Sequence, residues 1–208
     1  MKNKICFIGC GGINSWAIAN TKDVITTFFP EDGFVVTLFD NDQIEEKNLL
    51  QSNQNFTVDD LGEEKSEVLG KKYNFLSEQK FITEENVNEL NMYDIIVVGV
   101  DNNKCRKLLY NYALQKNKIL IDLRAQGTQI FYNVVGYNEK NDIEYYNNKY
   151  FNNEEVMERK GSCQLQRDVE EEHIENGNKI IASIGIYGVL LKVLRNEPLS
   201  TNEFKWVY

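Results

Sequence analysis

The segment best suited to bind an anion is a glycine-rich turn near the start of the chain. The run Gly9–Ser15, of sequence GCGGINS, follows a short apolar segment and precedes a helical pattern, which is the context that a nucleotide-binding turn requires. Glycines there allow a tight turn and let the backbone approach a phosphate, while the helix N-terminus offers free N–H groups and a positive dipole end. A glycine-rich turn that binds no ligand is the alternative. The motif predicts nucleotide contacts from Gly9, Gly11, Gly12, Ile13 and Asn14.

Two aspartates lie where predicted apolar strands end. Asp40 follows the second such strand, and Asp101 follows a later one. In open α/β sheets ligands bind at the carboxyl ends of the strands, so both carboxylates can converge with the glycine turn. Asp40 is placed to accept the hydroxyls of a ribose, and Asp101 would need a cation, most naturally Mg²⁺, to face a polyphosphate. The alternatives are strand-end turn chemistry for Asp40 and Asp42, and capping of the helix that begins near Asn103 for Asp101.

Strands and helices alternate along the chain in the order needed to position these residues. We predict strands at 5–8, 34–39, 80–83, 94–100, 119–121, 129–135 and 204–208, and helices at 13–29, 61–73, 103–115 and 179–194. Such alternation favours an α/β fold with a mainly parallel sheet and helices on both faces. We expect a single domain over residues 1–208, with a polar excursion at about 138–176.

Composition limits the function classes. The chain has 208 residues and a net charge of −9. It has no Lys/Arg cluster large enough to form the basic face of a duplex-DNA binder, and an acidic surface disfavours nucleic acid and anionic membranes. The four cysteines form no C-x-x-C pair, and neither a signal peptide nor an apolar run near 18 residues is visible. We therefore expect a cytoplasmic protein that binds neither nucleic acid nor membrane.

Five short motifs occur in order between residue 4 and about residue 135. They are G-x-G-G-[ILT]-x-S at Gly9–Ser15, D-x-D at Asp40–Asp42, N-[LV] at Asn48–Leu49, G-x-x-K at Gly62–Lys65 and D-N-x-x-x-R at Asp101–Arg106. One motif alone is weak, but the ordered set resembles the ThiF/MoeB/HesA family of E1-like enzymes. The later part of the chain is more loosely similar to mobile-element ThiF-like proteins, through a longer first helix and the Ser162–Cys163 pair before the final helix.

This resemblance implies a Rossmann-like, ThiF/E1-like adenylation fold and an ATP-dependent adenylyltransferase. Family members activate the C-terminal carboxylate of a small ubiquitin-like (β-grasp) or sulfur-carrier protein, which gives an acyl-adenylate and pyrophosphate. Some members then move the acyl group to a cysteine, and some are dimers, so a homodimer stays open. The implied cofactors are ATP and Mg²⁺.

The resemblance also implies roles for individual residues. Lys65 would neutralise phosphate charge and Asp101 would hold Mg²⁺, and both would take part in catalysis. Asn48 would contact phosphate, and Asp40 would hold the ribose. The remaining members of the implied nucleotide site are Asp42 and Asn102.

Cys163 is the candidate acceptor of an acyl group, because it follows a polar segment and is expected to be exposed. A useful thiolate needs a lowered pKa, which Lys160 and Arg167 favour and the acidic run 168–172 opposes. An unreactive cysteine is the alternative. The single histidine, His173, has no partner motif, so we expect it to lie at the surface.

Two positions depart from the family pattern. Asn14 stands where the family has glycine, and the motif Asn48–Leu49 is followed by Gln51 without the family's arginine. Arginine stabilises phosphate charge, which the uncharged glutamine cannot do, although Arg106 or Arg124 could substitute.

Two other functions therefore stay open. The absent arginine favours a catalytically weak E1-like module that binds a nucleotide or a partner. An NAD-dependent oxidoreductase is compatible with Asp40, but it leaves Lys65 and the pair Asp101–Asn102 without a role. A binding screen of ATP against NAD separates these two nucleotide classes.

Overall fold

A seven-stranded sheet forms the centre of the molecule in a computed structural model that describes residues 3–31, 33–49, 53–126, 129–137, 148, 151, 173–201 and 203–207. The strand order is β3-β2-β1-β4-β5-β6-β7. Strands β1 to β5 pair in parallel, and β6 and β7 are antiparallel. The bounds are β1 Lys4–Ile8, β2 Val35–Phe39, β3 Leu76–Glu78, β4 Ile95–Val98, β5 Ile119–Gln126, β6 Gln129–Val135 and β7 Glu203–Val207.

Strands β1, β2 and β4 end at the same level of the sheet. Ile8 pairs with Phe39 of β2 and with Val98 of β4. The side chains of these strands are mostly apolar and buried, as expected for central parallel strands that are covered on both faces. The order of the strands changes direction at β1, because β2 lies on one side of β1 and β4 lies on the other. Ligands in such sheets bind at this switch point, so the loops after these three strands are placed to form a site.

Helices cover both faces of the sheet, which confirms the predicted α/β architecture. Helices α1, α3 and α5 contribute to one apolar core, whereas α4 and a 3₁₀ turn at Val87–Met92 contribute to the other. A second 3₁₀ turn lies at Val58–Asp60, and a π-helical segment, Ile184–Leu190, joins α5 to α6. The bounds are α1 Gly12–Phe28, α2 Glu46–Leu49, α3 Lys65–Tyr73, α4 Asn103–Lys116, α5 His173–Ser183 and α6 Leu191–Leu194.

The strand predicted at 80–83 is wrong, since the third strand lies at Leu76–Glu78 instead. Helix α3 ends at Tyr73, the C-cap residue Asn74 adopts a left-handed conformation with φ of 57°, and Leu76 then pairs with Thr37 of β2. All three residues of β3 are exposed, so this edge strand shows no apolar alternation in the sequence. Backbone pairing alone defines it.

Two helix starts also differ from the prediction. Helix α3 begins at Lys65 rather than at 61, because Gly62 has a positive φ of 82° and residues 61–64 form a turn. Helix α5 begins at His173, so the end of the polar excursion predicted at 138–176 is helical. Most of that excursion lies outside the described residues.

One helical stretch, Asn176–Leu194, is long and apolar enough to cross a membrane by length and composition alone, with a mean hydropathy of 1.4. However, 56% of it is buried inside the fold, where α5 packs against α1, β5 and β6. The core helix of a soluble protein passes the same test, so the stretch is weak evidence for a membrane span.

Candidate functional site

The glycine turn between β1 and α1 is tightly packed at Gly9 and has free space beside Gly11. Gly9 has a positive φ of 83°, and a Cβ on it would lie 2.8 Å from Cγ1 of Val100, so only glycine fits without strain. Gly11 is the N-cap of α1 and makes no side-chain cap, and a Cβ on it would meet no described heavy atom within 4 Å. The first N–H groups of a helix have no partner within the helix. The turn therefore presents those of α1 next to open space.

The side chain of Asn14 holds this turn through two hydrogen bonds to the backbone. Its Nδ2 donates to the carbonyl oxygens of Gly9, at 2.8 Å, and Ile8, at 3.1 Å. Its side chain is fully buried and lies against Gly99, where a Cβ would come within 2.6 Å of the Asn14 Oδ1. Asparagine at this family glycine position thus holds the end of β1, and Gly99 provides the room for it.

The carboxylate of Asp40 ties the glycine turn to the loop after β2. One oxygen accepts the backbone N–H of Cys10 at 2.5 Å, and the other accepts that of Asp42 at 2.8 Å. Burial raises the pKa of Asp40 above its ordinary value, whereas these two hydrogen bonds and the nearby charge of Lys65 oppose the rise. A carboxylate has about four lone-pair sites, so two protein hydrogen bonds leave acceptor capacity for a ligand.

Lys65 brings a buried positive charge to the same loop. Its Nζ lies 3.1 Å from Oδ2 of Asp42, and its side chain is 8% exposed whereas that of Asp42 is 55% exposed. The backbone N–H of Lys65 also donates to the carbonyl of Asp42, and the next residue, Ser66, donates its hydroxyl to the carbonyl of Asp40. The start of α3 is therefore fastened to the end of β2 by these two hydrogen bonds. The predicted contact of Lys65 with phosphate stays a prediction.

Asn48 uses its side chain to shape its own loop. Its buried Oδ1 accepts the backbone N–H of Glu45 at 2.8 Å, which closes the turn that opens α2. Phosphate contact by Asn48 stays a prediction, and it would have to come from the Nδ2 donor, because phosphate oxygens accept hydrogen bonds. Gln51, at the position of the family's arginine, lies outside the described residues.

The loop between β4 and α4 carries an exposed carboxylate, that of Asp101. Asn102, and not Asp101, caps α4, because its Oδ1 accepts the N–H groups of Lys104 and Cys105 at 2.9 and 3.2 Å. The side chain of Asp101 is exposed and makes no hydrogen bond or ion pair with any described residue. Among all the residues that the structure describes, no cluster of three or more His, Cys, Asp or Glu could hold a resident metal. One open carboxylate suits Mg²⁺ that arrives with a nucleotide, since Mg²⁺ is usually held by one or two carboxylates and substrate phosphates.

Arg106 and Arg124 both bind a carboxylate that the sequence analysis missed. Asp122, buried in β5, accepts from a guanidinium nitrogen of Arg106, from Nε of Arg124 at 2.7 Å and from the hydroxyl of Tyr110 at 3.0 Å. Arg106 is itself buried and also donates to the carbonyl of Val100. These bonds give Arg106 a structural role and argue against it as a substitute for the family's arginine. The only signal of Asp122 in the sequence is a charge within an apolar strand.

Asn178 of α5 reaches the N-terminus of α1. Its Nδ2 donates to Oδ1 of Asn53 at 2.7 Å, and a Cβ on Gly12 would lie 2.6 Å from that nitrogen. Gly12 therefore allows the close approach of α5. Its predicted contact with a nucleotide stays a prediction. Neither asparagine was predicted from the sequence, although the position of Asn178 just before an apolar helical run is a signal of this kind.

The comparison with known families identifies the chain. Residues 1–205 match the ThiF family. The chain belongs to the ThiF family. This confirms the resemblance drawn from the five motifs. No curated protein matches the sequence at a significant level.

Solved structures share the fold of this ThiF-family chain. E. coli MccB solved with ATP matches 100% of the chain with a TM-score of 0.71 and 21% identity, and E. coli MccB solved with AMPCPP and MccA matches 99% with 0.70 and 20%. PaaA matches 99% with a TM-score of 0.69 and 14% identity. The chain spans about three fifths of the length of these proteins, 61%, 60% and 61% respectively. The predicted ThiF/E1-like fold is thereby confirmed.

The described cysteines of the ThiF-family chain are poorly suited to nucleophilic chemistry. Burial raises the pKa of Cys6 and of Cys10 well above the ordinary value, and it raises the pKa of Cys105 to about 11. A reactive thiol needs a lowered pKa. Cys163 lies outside the described residues, as does the side chain of His173, so their predicted roles stay predictions.

Proposed function

We propose that this chain is an ATP-dependent adenylyltransferase of the E1 type, which activates the C-terminal carboxylate of a small ubiquitin-like or sulfur-carrier protein. The observation that carries the proposal is the convergence at one sheet edge of the glycine turn, the buried Asp40, the Lys65–Asp42 pair and the open Asp101. Family membership and the fold shared with MccB, a protein solved with ATP and with AMPCPP and MccA, support it.

The parts of the site suit different parts of ATP. The N-terminus of α1 offers backbone N–H groups to the phosphates, and the free lone pairs of Asp40 suit the ribose hydroxyls. Lys65 supplies a positive charge on the same side of the sheet. Asp101 would hold Mg²⁺, whose contribution is to neutralise charge on the phosphate oxygens.

The reaction proposed is a displacement at the α-phosphorus of ATP. A carboxylate oxygen of the partner forms a bond to that phosphorus, the bond from phosphorus to the α–β bridging oxygen breaks, and pyrophosphate leaves with the electron pair. The attacking carboxylate is already ionised, so no general base is needed. The chain has only to hold the reactants and to stabilise the charge that develops.

The test is exchange of labelled pyrophosphate into ATP in the presence of the cognate carrier protein. We expect exchange by the wild type and its loss in Asp101→Ala. Asp94→Ala is the matched control, because Asp94 adjoins the opposite end of β4 and its carboxylate accepts only the N–H of Lys4 among described donors. Unchanged exchange in Asp101→Ala would show that this carboxylate has no part in the reaction, and tight NAD binding without ATP binding would refute the nucleotide assignment.

A catalytically weak module that holds a nucleotide or a partner is the second candidate. It is favoured by the arginines of the described residues, because Arg106 and Arg124 bind Asp122 and Arg195 stacks on Phe28 at the far end of α1. Loss of one charged donor to a phosphate transition state commonly costs ~10²–10³-fold in rate. Exchange that stays at background with every carrier tested, together with intact ATP binding, would favour this candidate.

Two finer parts of the proposal rest on the family resemblance. Acyl transfer to Cys163 would follow adenylation, and a homodimer would be the assembly. Light scattering after gel filtration measures the assembly, and a monomer at micromolar concentration would contradict the dimer.

A further inference from the structure

A buried guanidinium fastens the loop that carries Asp101. Arg106, in the first turns of α4, donates through one terminal nitrogen to the carbonyl oxygen of Val100 and through the other to the Asp122 carboxylate. Both terminal nitrogens also lie 3.4 Å from the carbonyl oxygen of Leu123. The side chains of Arg106 and Asp122 are only 6% and 1% exposed, so water does not compete for these bonds. The guanidinium thus joins the loop that follows β4 to the middle of β5.

The carbonyl that Arg106 binds belongs to the residue directly before Asp101. The side chain of that residue, Val100, packs on Gly9, where a Cβ would come within 2.8 Å of it. Val100 is therefore held through its carbonyl by the guanidinium and through its side chain by the glycine turn. Because Asp101 makes no bond of its own to any described residue, the backbone at Val100 sets where its carboxylate lies.

Asp122 in turn orients the guanidinium. It accepts from Arg106 on one oxygen, and from the Tyr110 hydroxyl and Nε of Arg124 on the other. Planar guanidinium groups present their donors in a rigid arrangement that a lysine ammonium cannot reproduce. A lysine at position 106 would keep the positive charge, but it could not bind the Val100 carbonyl and the Asp122 carboxylate with the same geometry.

We propose that Arg106, oriented by Asp122, is a positioning residue that holds the Asp101 carboxylate where it meets the Mg²⁺ of bound Mg–ATP. This inference rests on the proposed function, because Mg–ATP is the ligand of that function. Arg106, the last residue of the D-N-x-x-x-R motif, would thus fix the position of Asp101, the first residue of the motif. Arg106 itself would not contact the nucleotide.

The experiment measures how strongly Mg²⁺ tightens ATP binding. Calorimetry on the full chain gives the Kd for ATP in excess Mg²⁺ and in EDTA, and the ratio of the two is the metal coupling factor. We expect a factor of about tenfold or more in the wild type, within the usual range for coupled ligands. It should fall close to one in Asp101→Ala and to roughly two- or threefold in Arg106→Lys, with the Kd in EDTA changed less than about twofold in Arg106→Lys.

Two further variants separate positioning from stability. Tyr110→Phe removes one hydrogen bond to Asp122 and leaves the bond from Arg106 to Val100, so it should lower the melting temperature and keep the wild-type coupling factor. The double variant Arg106→Lys/Asp101→Ala should lose no more coupling than Asp101→Ala alone, because residues that act through one another are not additive. If Arg106→Lys fails to fold, Asp122→Asn replaces it, with a reduced factor expected for the same reason.

The outcomes are distinct. A wild-type factor in folded Arg106→Lys, or in its replacement Asp122→Asn, beside a lost factor in Asp101→Ala would overturn the inference and leave the proposed function standing. Equal loss in Tyr110→Phe would also overturn it, because a general loss of stability would then explain the effect. A wild-type chain that binds no ATP with or without Mg²⁺ would overturn the proposed function itself, and the inference with it.

Discussion

Substitutions at two glycines of the turn can distinguish effects on folding from effects on ligand binding, because Gly9 is tightly packed and Gly11 has free space beside it. Gly9 has a φ of 83°, and a Cβ there would lie 2.8 Å from Val100 Cγ1 and 3.4 Å from the carbonyl oxygen of Gly99. Gly11 has a φ of −82°, and a Cβ there would meet nothing within 4 Å among the described atoms. We therefore expect Gly9→Ala to act mainly on stability and Gly11→Ala to act mainly on ligand binding.

The cost of Gly9→Ala follows from its two sources of strain. A left-handed conformation costs an ordinary residue roughly 1–2 kcal/mol, and an extra methyl group in a packed region costs about 1–3 kcal/mol. The neighbour has little freedom to move, because the carbonyl of Val100 is bound by Arg106. The sum is about 2–5 kcal/mol of unfolding free energy, or roughly 4–20 °C in Tm for a chain of this length.

Gly11→Ala should behave differently. Alanine is a poorer N-cap than glycine, so we expect a loss of at most about 1 kcal/mol in unfolding free energy. Its methyl group would occupy the open space through which a phosphate approaches the α1 N-terminus, which should raise the Kd for ATP at least about tenfold, equivalent to ~1.4 kcal/mol.

The assays are urea unfolding for stability and calorimetry for ATP binding, with both variants compared with the wild type. Unfolding of Gly9→Ala at the wild-type urea concentration would contradict the strain expected at Gly9. Binding of ATP by Gly11→Ala as tightly as by the wild type would show that the space beside Gly11 is not the path of the phosphate.

Three other predictions concern a buried acid, a packing contact and a thiol. Because burial raises the pKa of Asp40 from its ordinary 3.8, the stability of the wild type relative to Asp40→Asn should fall as pH rises from the unfolded-state pKa through the raised folded-state pKa; a constant difference in urea midpoints between about pH 4 and about pH 7 would contradict this. Gly12→Ala should destabilise the wild type more than it destabilises Asn178→Ala, by about 1 kcal/mol or more in a double-mutant cycle, since its Cβ would lie 2.6 Å from the Asn178 amide nitrogen. Additive urea-unfolding energies would show that the two do not meet. If acyl transfer occurs on this chain, mass spectrometry should find a thioester adduct of the partner, cleaved by excess thiol, that Cys163→Ala abolishes and Cys105→Ala keeps, because burial raises the pKa of Cys105 to about 11. An intact adduct in Cys163→Ala would rule out that thiol.

The sequence by itself determined the strand–turn–helix unit around Gly9 and the strand that ends at Asp40. Both depend on short-range patterns, namely apolar runs that stop at a glycine or an aspartate, and such runs are typical of buried parallel strands. The order of the motifs was also enough to place the chain in its family. Prediction from the sequence failed at β3, because its exposed residues Leu76–Glu78 pair with β2 through backbone groups alone.

Only the tertiary structure decided which polar groups serve the site and which serve the fold. Arg106 and Asp122 are 16 residues apart, and Asn53 and Asn178 are 125 residues apart, so no local pattern pairs them. A buried charge must find a partner wherever packing brings one, which is why Arg106 binds inside the sheet. Asp101, with the same strand-end signal as Asp40, stays exposed because the neighbouring asparagine caps α4 in its place.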